Sequence, residues 1–350
     1  MNVKKLLTSL STVALLASEV ANAQNETKPK KDYTPSTPKV SGLINARYAY
    51  NSDAAKVNSF DLRRVRLAVG GNFGKTIDYK LQAEYETSVK IIDVFVRFKP
   101  VEAFNVQVGE FKVEYSQESQ DGPATWITIE NPAVINKLTG YNDVSGLSSN
   151  SRDVGIRIYG NVGKREDYHV FGYKLGVYNG NGINLKDNDE YKNVAGFITL
   201  NPSKRLTLSA GEYIGHYTPE AVNADSIKAG WDVNDNAIKR NRTSAGLTYK
   251  SDKLFIRSEY LYGQTGKTEQ QGAFATAAYT FAHGIQPLLS YGFYQKDLSA
   301  KADYQNDFTI GVNWQPIKYL RGQLNYTLTK YAKSSKPNGN LLEAQLIATF

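Results

Sequence analysis

The residues of this sequence best suited to chemistry are arginines and lysines at the polar positions of alternating segments. Arg64 and Arg66 alternate with Val65 and Leu67, and Arg47 holds an equivalent position upstream. Successive side chains of a β-strand point to opposite faces, so these cations share the polar face. A guanidinium stays charged at physiological pH and offers a planar fork of donors to phosphate or carboxylate. The basic residues predicted on this face are Arg47, Arg64, Arg66, Arg97, Arg157, Lys174, Arg257 and Arg321.

Other reactive residue types form no comparable pattern. His169, His216 and His283 are far apart and lack the spacing of metal ligands. Cysteine is absent, which excludes a thiol nucleophile, a thiolate metal site and a disulfide scaffold. No G-x-S-x-G, P-loop or dinucleotide-binding motif occurs. We therefore expect no enzyme activity, no metal and no cofactor.

The basic residues lie in short segments whose polar and apolar residues alternate to the end of the chain. In one of them, Leu81 and Ala83 oppose Gln82 and Glu84. Sixteen such segments lie between residues 42 and 350, and single-chain bacterial barrels have an even number of strands. No apolar run after residue 23 is long enough for a membrane helix. If this chain spans a membrane, it must therefore do so as a closed barrel of strands.

The lengths of the connections distinguish this barrel from a soluble sheet. Every second connection is tight, as at 74–76, 100–103 and 202–204, whereas the intervening ones include the long stretches 113–150 and 217–239. Short turns at one end and long loops at the other are typical of outer-membrane barrels. The pattern predicts an all-β fold, a transmembrane antiparallel β-barrel of about sixteen strands.

The N-terminus predicts export. Lys4 and Lys5 precede an apolar stretch, and Ala21-Asn22-Ala23 is a small-x-small cleavage pattern. Removal of this segment lowers the formal charge from +8 to +7, and export argues against a nucleic-acid partner. We expect a bacterial outer-membrane location and this organisation: 1–23 signal peptide, 24–41 flexible periplasmic leader, 42–350 outer-membrane barrel.

The connection 113–150 is far longer than an ordinary hairpin loop. Loops of this length are usually functional, and we expect it to fold into the barrel as a constriction. A cap that stays outside the pore is the alternative. Candidate residues of the constriction are Glu114, Glu118, Asp121, Trp126 and Lys137.

Two segments resemble a known family. Residues 60–71, FDLRRVRLAVGG, resemble the second-strand signature of the phosphate-selective porin O and P family, and residues 108–112, VGEFK, resemble its G-x-F-K segment. The terminal Phe350 is similar to the assembly signal of many outer-membrane barrels. The resemblance implies a sixteen-stranded homotrimeric porin that conducts small anions such as phosphate. Outer-membrane lipid and lipopolysaccharide would surround it.

Charges outside the strands weaken the expectation of phosphate specificity. In 113–150, five carboxylates, including Glu130 and Asp143, accompany the single lysine Lys137. In 217–240, Lys228, Lys239 and Arg240 are opposed by Glu220, Asp225, Asp232 and Asp235. Two alternatives therefore remain open: a general or carbohydrate porin without anion specificity, and a surface-adhesive barrel.

Overall fold

The protein forms one continuous antiparallel sheet in a computed structural model that describes residues 33–54, 57–86, 88–219, 237–332 and 336–350. The strands are β1 (Lys39–Asn51), β2 (Asn58–Phe73), β3 (Ile77–Glu84), β4 (Lys90–Val101), β5 (Phe104–Lys112), β6 (Arg152–Arg165), β7 (Tyr168–Tyr178), β8 (Asn193–Ser203), β9 (Leu206–Ile214), β10 (His216–Tyr217), β11 (Ile238–Lys250), β12 (Leu254–Thr265), β13 (Thr268–Tyr279), β14 (Ile285–Gln295), β15 (Tyr304–Ile317), β16 (Leu320–Tyr331) and β17 (Gly339–Thr349). Two short helices are α1 (Gln117–Gln120) and α2 (Ala133–Leu138). Within the described ranges, no helix is long and apolar enough to cross a membrane.

The sheet closes on itself. The first and last strands, β1 and β17, pair from Leu43 opposite Thr349 to Asn51 opposite Leu341. Strands β9 and β10 both pair with β11 and are separated only by Gly215, so they form one wall strand. The described residues therefore build a closed barrel of sixteen wall strands, which confirms the predicted fold class.

Alternation along each strand separates a lipid-facing surface from the interior, which we call the lumen. In β17, Leu346 is 49% exposed on the outside, whereas Glu343 is 1% exposed on the inside. In β6, Ile156 is likewise exposed, and its neighbour Arg157 reaches Glu114 inside the barrel. Apolar side chains outside suit lipid, and polar side chains inside suit water and polar solutes.

The two ends of the barrel differ, as expected from the connection lengths. At the turn end, β2 and β3 are joined by only three residues, 74–76, where Gly74 has a φ of 60°. At the loop end, β5 and β6 are joined by residues 113–151, which we call the long loop. Lys228 and the acidic residues Glu220, Asp225, Asp232 and Asp235 lie outside the described residues.

The barrel begins slightly before the boundary expected from the sequence. Strand β1 starts at Lys39, and the Ser36 amide donates to the Asn72 carbonyl at 2.8 Å. The end of the expected leader thus contacts the turn end of the barrel. The preceding segment, including the expected signal peptide, lies outside the described residues.

A β-bulge changes the direction of the side chains in β2. Asn45 pairs with Arg64 and Ala46 pairs with Leu62, which leaves Arg63 as an extra residue. Both Arg63 and Arg64 consequently contact the long loop inside the barrel. A bulge bends its strand and redirects side chains in this way.

Candidate functional site

The long loop lies inside the barrel and is the centre of the candidate site. Its helix α1 is capped by Ser116, whose Oγ accepts from the Ser119 amide at 3.3 Å. The carboxylate of Glu259 on β12 accepts from the amides of Gln117 and Glu118 at 3.0 and 3.1 Å. The free amides of a helix N-terminus favour such an anionic partner. A wall residue thus fixes the start of the loop.

Arg257 on β12 holds the same part of the loop. Its Nη1 donates to Glu118 Oε2 at 2.6 Å and to Asp121 Oδ2 at 2.7 Å. Burial raises the pKa of Glu118, and Arg257 offsets only part of that effect. Arg257 faces the loop inside the barrel, and two loop carboxylates neutralise it.

Asp143 anchors the far end of the loop. It accepts from Arg240 Nη2 at 2.7 Å and from Arg242 Nη2 at 3.0 Å, and both ion pairs are almost fully buried. Burial alone would raise the pKa of Asp143, but the two guanidinium groups outweigh it and hold the pKa well below its ordinary value. Lys239 and Arg240, expected from the sequence among the loop charges of 217–240, both lie in strand β11.

Helix α2 packs its apolar side against the wall. Val134, Ile135 and Leu138 are buried together with Leu261 and Phe274. A second apolar cluster lies at the start of the loop, where Val113 and Tyr115 are buried with Tyr178 and Tyr213. The loop is therefore held at several separate places around the barrel.

Glu130 joins the loop to β1 and β2. Its Oε1 lies 2.9 Å from Arg47 Nη1 and 2.5 Å from Arg63 Nη1. Burial raises the pKa of Glu130, but Arg63 and Arg47 outweigh it, so the pKa is below its ordinary value. Arg47 also contacts Asp61 and Glu343 at 2.6 and 2.9 Å.

Three other predicted cations are also paired with carboxylates. Arg66 lies 3.0 Å from Glu84, and Arg97 lies 2.6 Å from Asp78. Arg157 lies 3.4 Å from Glu114 in the loop. The ion-paired members of the predicted set are therefore Arg47, Arg66, Arg97, Arg157 and Arg257.

The remaining three predicted cations have no carboxylate within ion-pair distance in the described ranges. Arg64 lies over the ring of Trp126, 5.0 Å from its centroid. Lys174 donates to the Gln120 side-chain amide at 3.4 Å, and Arg321 donates to the Ala124 carbonyl at 3.0 Å. These three partners carry no formal charge, so no carboxylate among the described residues compensates Arg64, Lys174 or Arg321.

Several basic residues of this site were missed in the sequence. Lys112 Nζ donates to the carbonyl of Ser119 at 2.7 Å and also contacts that of Asp121. Arg152 pairs with Asp93 at 2.9 Å. Both stand where strands meet the long loop, and strand alternation does not determine side-chain direction there. The missed set is Arg63, Lys112, Arg152, Arg240 and Arg242.

A cavity of about 460 Å³ remains open between the loop and the wall. It is lined by loop residues from 128 to 142 and by wall strands β14 to β17, β1 and β2. Asn51 and Thr329 place it toward the loop end of the barrel. No cluster of three or more metal-ligating side chains occurs in the part of the chain that the structure describes.

Comparison with protein families matches residues 43–350 to the family described as phosphate-selective porin O and P. Comparison with curated proteins gives no significant match.

Solved structures of several outer-membrane proteins have a similar fold. The trimer form of OmpT from Vibrio cholerae has a TM-score of 0.66 at 12% identity over 90% of this chain and 99% of that one. The anion-selective porin from Comamonas acidovorans has a TM-score of 0.66 at 13% identity over 91% and 100% of the two chains. The outer-membrane channel DcaP of Acinetobacter baumannii has a TM-score of 0.65 at 13% identity over 93% and 100%. At such identities the similarity concerns the fold alone.

Proposed function

The chain belongs to the phosphate-selective porin O and P family, and on this premise we propose that it conducts small hydrophilic solutes passively with a preference for anions such as phosphate. A water-filled barrel of sixteen strands needs only a constriction and lumen charges to select its solutes. The long loop supplies the constriction.

The observation that carries the anion preference is the set of three uncompensated cations, Arg64, Lys174 and Arg321. Each is held by a neutral partner: an aromatic ring, a side-chain amide and a backbone carbonyl, respectively. Positive charges along a narrow aqueous channel with low-dielectric walls raise the local concentration of anions. The ion-paired arginines contribute little to this field, because their partner carboxylates cancel it.

A triple variant, Arg64→Gln with Lys174→Gln and Arg321→Gln, tests this preference. The measurement is the reversal potential of the current in planar bilayers under a KCl gradient at about 0.1 M, where charges act over about 10 Å. For the wild type this potential should have the sign expected when chloride is more permeant than potassium. The variant should show an anion-to-cation permeability ratio at least roughly twofold lower. Phosphate should block the chloride current of the wild type more strongly than that of the variant.

The matched control is Arg205→Gln, which removes an exposed cation in the turn between β8 and β9. It should reverse at the wild-type potential. An identical reversal potential for the triple variant and the wild type would overturn the proposed role of the three cations.

A general porin without ionic preference is the second candidate. It is favoured by the neutralisation of Arg47, Arg66, Arg97, Arg157 and Arg257 by carboxylates. In that case the reversal potential of the wild type would itself lie near zero, and phosphate would not block the current.

Assembly and export complete the proposal. The chain would form a homotrimer, by analogy with the trimer form of OmpT from Vibrio cholerae, embedded among outer-membrane lipid and lipopolysaccharide. It would lose residues 1–23 on export, carry no cofactor and catalyse no reaction. Light scattering of the detergent-solubilised protein tests the trimer. N-terminal sequencing of the mature protein should begin at Gln24.

A further inference from the structure

The cavity between the long loop and strands β14 to β1 contains charges that the anion pathway does not use. Five ionisable side chains line it: Arg47, Glu130, Lys137, Asp307 and Glu343. Arg47 pairs with both Glu130 and Glu343 at 2.9 Å, so these three compensate one another. Asp307 and Lys137 form no ion pair within the ranges that the structure describes.

Asp307 stands on the wall, in β15. Its carboxylate accepts from Thr329 Oγ1 at 2.7 Å and from Gln305 Nε2 at 3.2 Å. Both partners are neutral, so no cation among the described residues compensates this carboxylate. Beside it, the hydroxyls of Thr309 and Thr327 are 2.8 Å apart and line the same cavity. These oxygens can accept from a bound ammonium group.

Lys137 stands on the other side, in the last turn of helix α2. Burial lowers the pKa of Lys137 and nearby Lys296 adds to this, while Asp143 partly offsets both. An additional carboxylate near its ammonium group would stabilise the charged form. Among the described residues, the wall thus contributes one carboxylate without an ion-pair partner, Asp307, and the loop contributes one such ammonium group, Lys137, to the same cavity.

We propose that this cavity binds a small zwitterion with a free ammonium and a free carboxylate group, such as an α-amino acid. Asp307 and the neighbouring threonine hydroxyls receive the ammonium group, and Lys137 receives the carboxylate. The inference goes beyond the anion preference proposed above, because it requires only the cavity and not the direction of the ionic preference.

Two other ligand classes fit the cavity less well. A free phosphate would be attracted by Lys137 but repelled by Asp307. A sugar ring would find hydroxyl and amide partners but no aromatic face, because no aromatic side chain is among the described residues that line this cavity. A zwitterion satisfies both unpaired charges and the surrounding hydroxyl and amide groups.

The test is binding of L-alanine to the refolded full-length protein in detergent, measured by saturation-transfer NMR on the alanine methyl group at low salt. Saturable binding is expected, with a dissociation constant roughly tenfold higher in Asp307→Asn and in Lys137→Gln. Propionate lacks the ammonium group and ethylammonium lacks the carboxylate, so each should bind more weakly than alanine.

Asp53→Asn is the matched control, because Asp53 lies at the same end of the barrel but does not line the cavity. It should bind alanine like the wild type. Equal alanine affinity in the wild type, Asp307→Asn and Lys137→Gln would overturn the proposal, as would propionate or ethylammonium binding as tightly as alanine. The readout does not depend on current, so a pore without anion preference would leave this result unchanged.

Discussion

At the scale of single residues, most of the charged side chains described above as facing the lumen form ion pairs, and a few do not. Asp143 illustrates the paired kind, since it is buried between Arg240 and Arg242. Removing one partner of such a buried group leaves uncompensated charge in a region of low dielectric, which costs far more than losing a surface ion pair. The stability of the docked loop should therefore depend strongly on this carboxylate.

Asp143→Asn should weaken docking of the long loop by about 3 to 5 kcal/mol at neutral pH, because Arg240 and Arg242 lose their counter-ion. The pKa of Asp143 is lower in the folded chain than its ordinary value. Its stabilising contribution is therefore complete above about pH 4 and decreases as the pH falls below that value. Protease cleavage within the loop, followed from about pH 7 down to about pH 2, measures this change.

In that experiment the difference in the rate of loop cleavage between the wild type and Asp143→Asn should become smaller as the pH falls. Asp167→Asn removes an exposed carboxylate that pairs with Lys204 in solvent, and it should leave loop cleavage unchanged. If the difference in cleavage rate between the wild type and Asp143→Asn stayed constant over this pH range, the ionised carboxylate of Asp143 would not be what stabilises the docked loop.

At the scale of elements, the long loop can dock closely because the wall carries glycine where it approaches. A Cβ at Gly211 on β9 would lie 2.7 Å from the Tyr115 Cα, closer than Cβ contacts normally are. The Ser244 hydroxyl on β11 donates to the Tyr115 carbonyl beside it. Wall and loop backbone therefore touch directly at the start of the loop.

Gly211→Val should push the start of the loop away from the wall and weaken docking by about 1 to 3 kcal/mol through overpacking. The barrel itself should still form, since the clashing atoms at Gly211 belong to the loop. Single-channel recordings should show higher conductance and more frequent fluctuations than the wild type.

Gly196→Ala on the adjacent strand β8 is the control, because its Cβ would meet only Leu175 Cδ1 at an ordinary 3.8 Å. It should conduct like the wild type. If Gly211→Val also conducted like the wild type, the loop would not be the element that narrows the pore.

At the scale of the whole molecule, the barrel depends on pairing of its first and last strands. The Gly42 amide donates to the Phe350 carbonyl at 2.9 Å, and the Phe350 amide donates to the Gly42 carbonyl at 3.2 Å. The Phe350 ring lies over Gly42, where any Cβ would clash with it. Phe350 therefore takes part in the β1–β17 contact that closes the barrel, here called the seam, and no strand edge is left unpaired at this point.

Deleting Phe350 should reduce the fraction of chain that reaches the closed barrel, because two seam hydrogen bonds and the ring contact are lost together. The heat-dependent shift in electrophoretic mobility of refolded protein measures this fraction. Phe350→Tyr keeps the backbone and the ring and should fold like the wild type. Equal folding of the deletion and the wild type would show that closure does not need this residue.

The sequence by itself determined the barrel and the orientation of most of its side chains. Alternation with a period of two is a local property of a strand, so Leu346 outside and Glu343 inside followed from their order alone. The sorting of short and long connections is equally visible along the chain. The number of wall strands, sixteen, could be predicted for the same reason.

Only the tertiary structure decided which lumen charges remain free. Arg242 meets Asp143, and Arg257 meets Glu118, across long stretches of sequence, because the path of the long loop brings them together. The bulge at Arg63 likewise depends on pairing between β1 and β2. The direction of a side chain is set by its local backbone, but its ionic partner is set by contacts between distant segments.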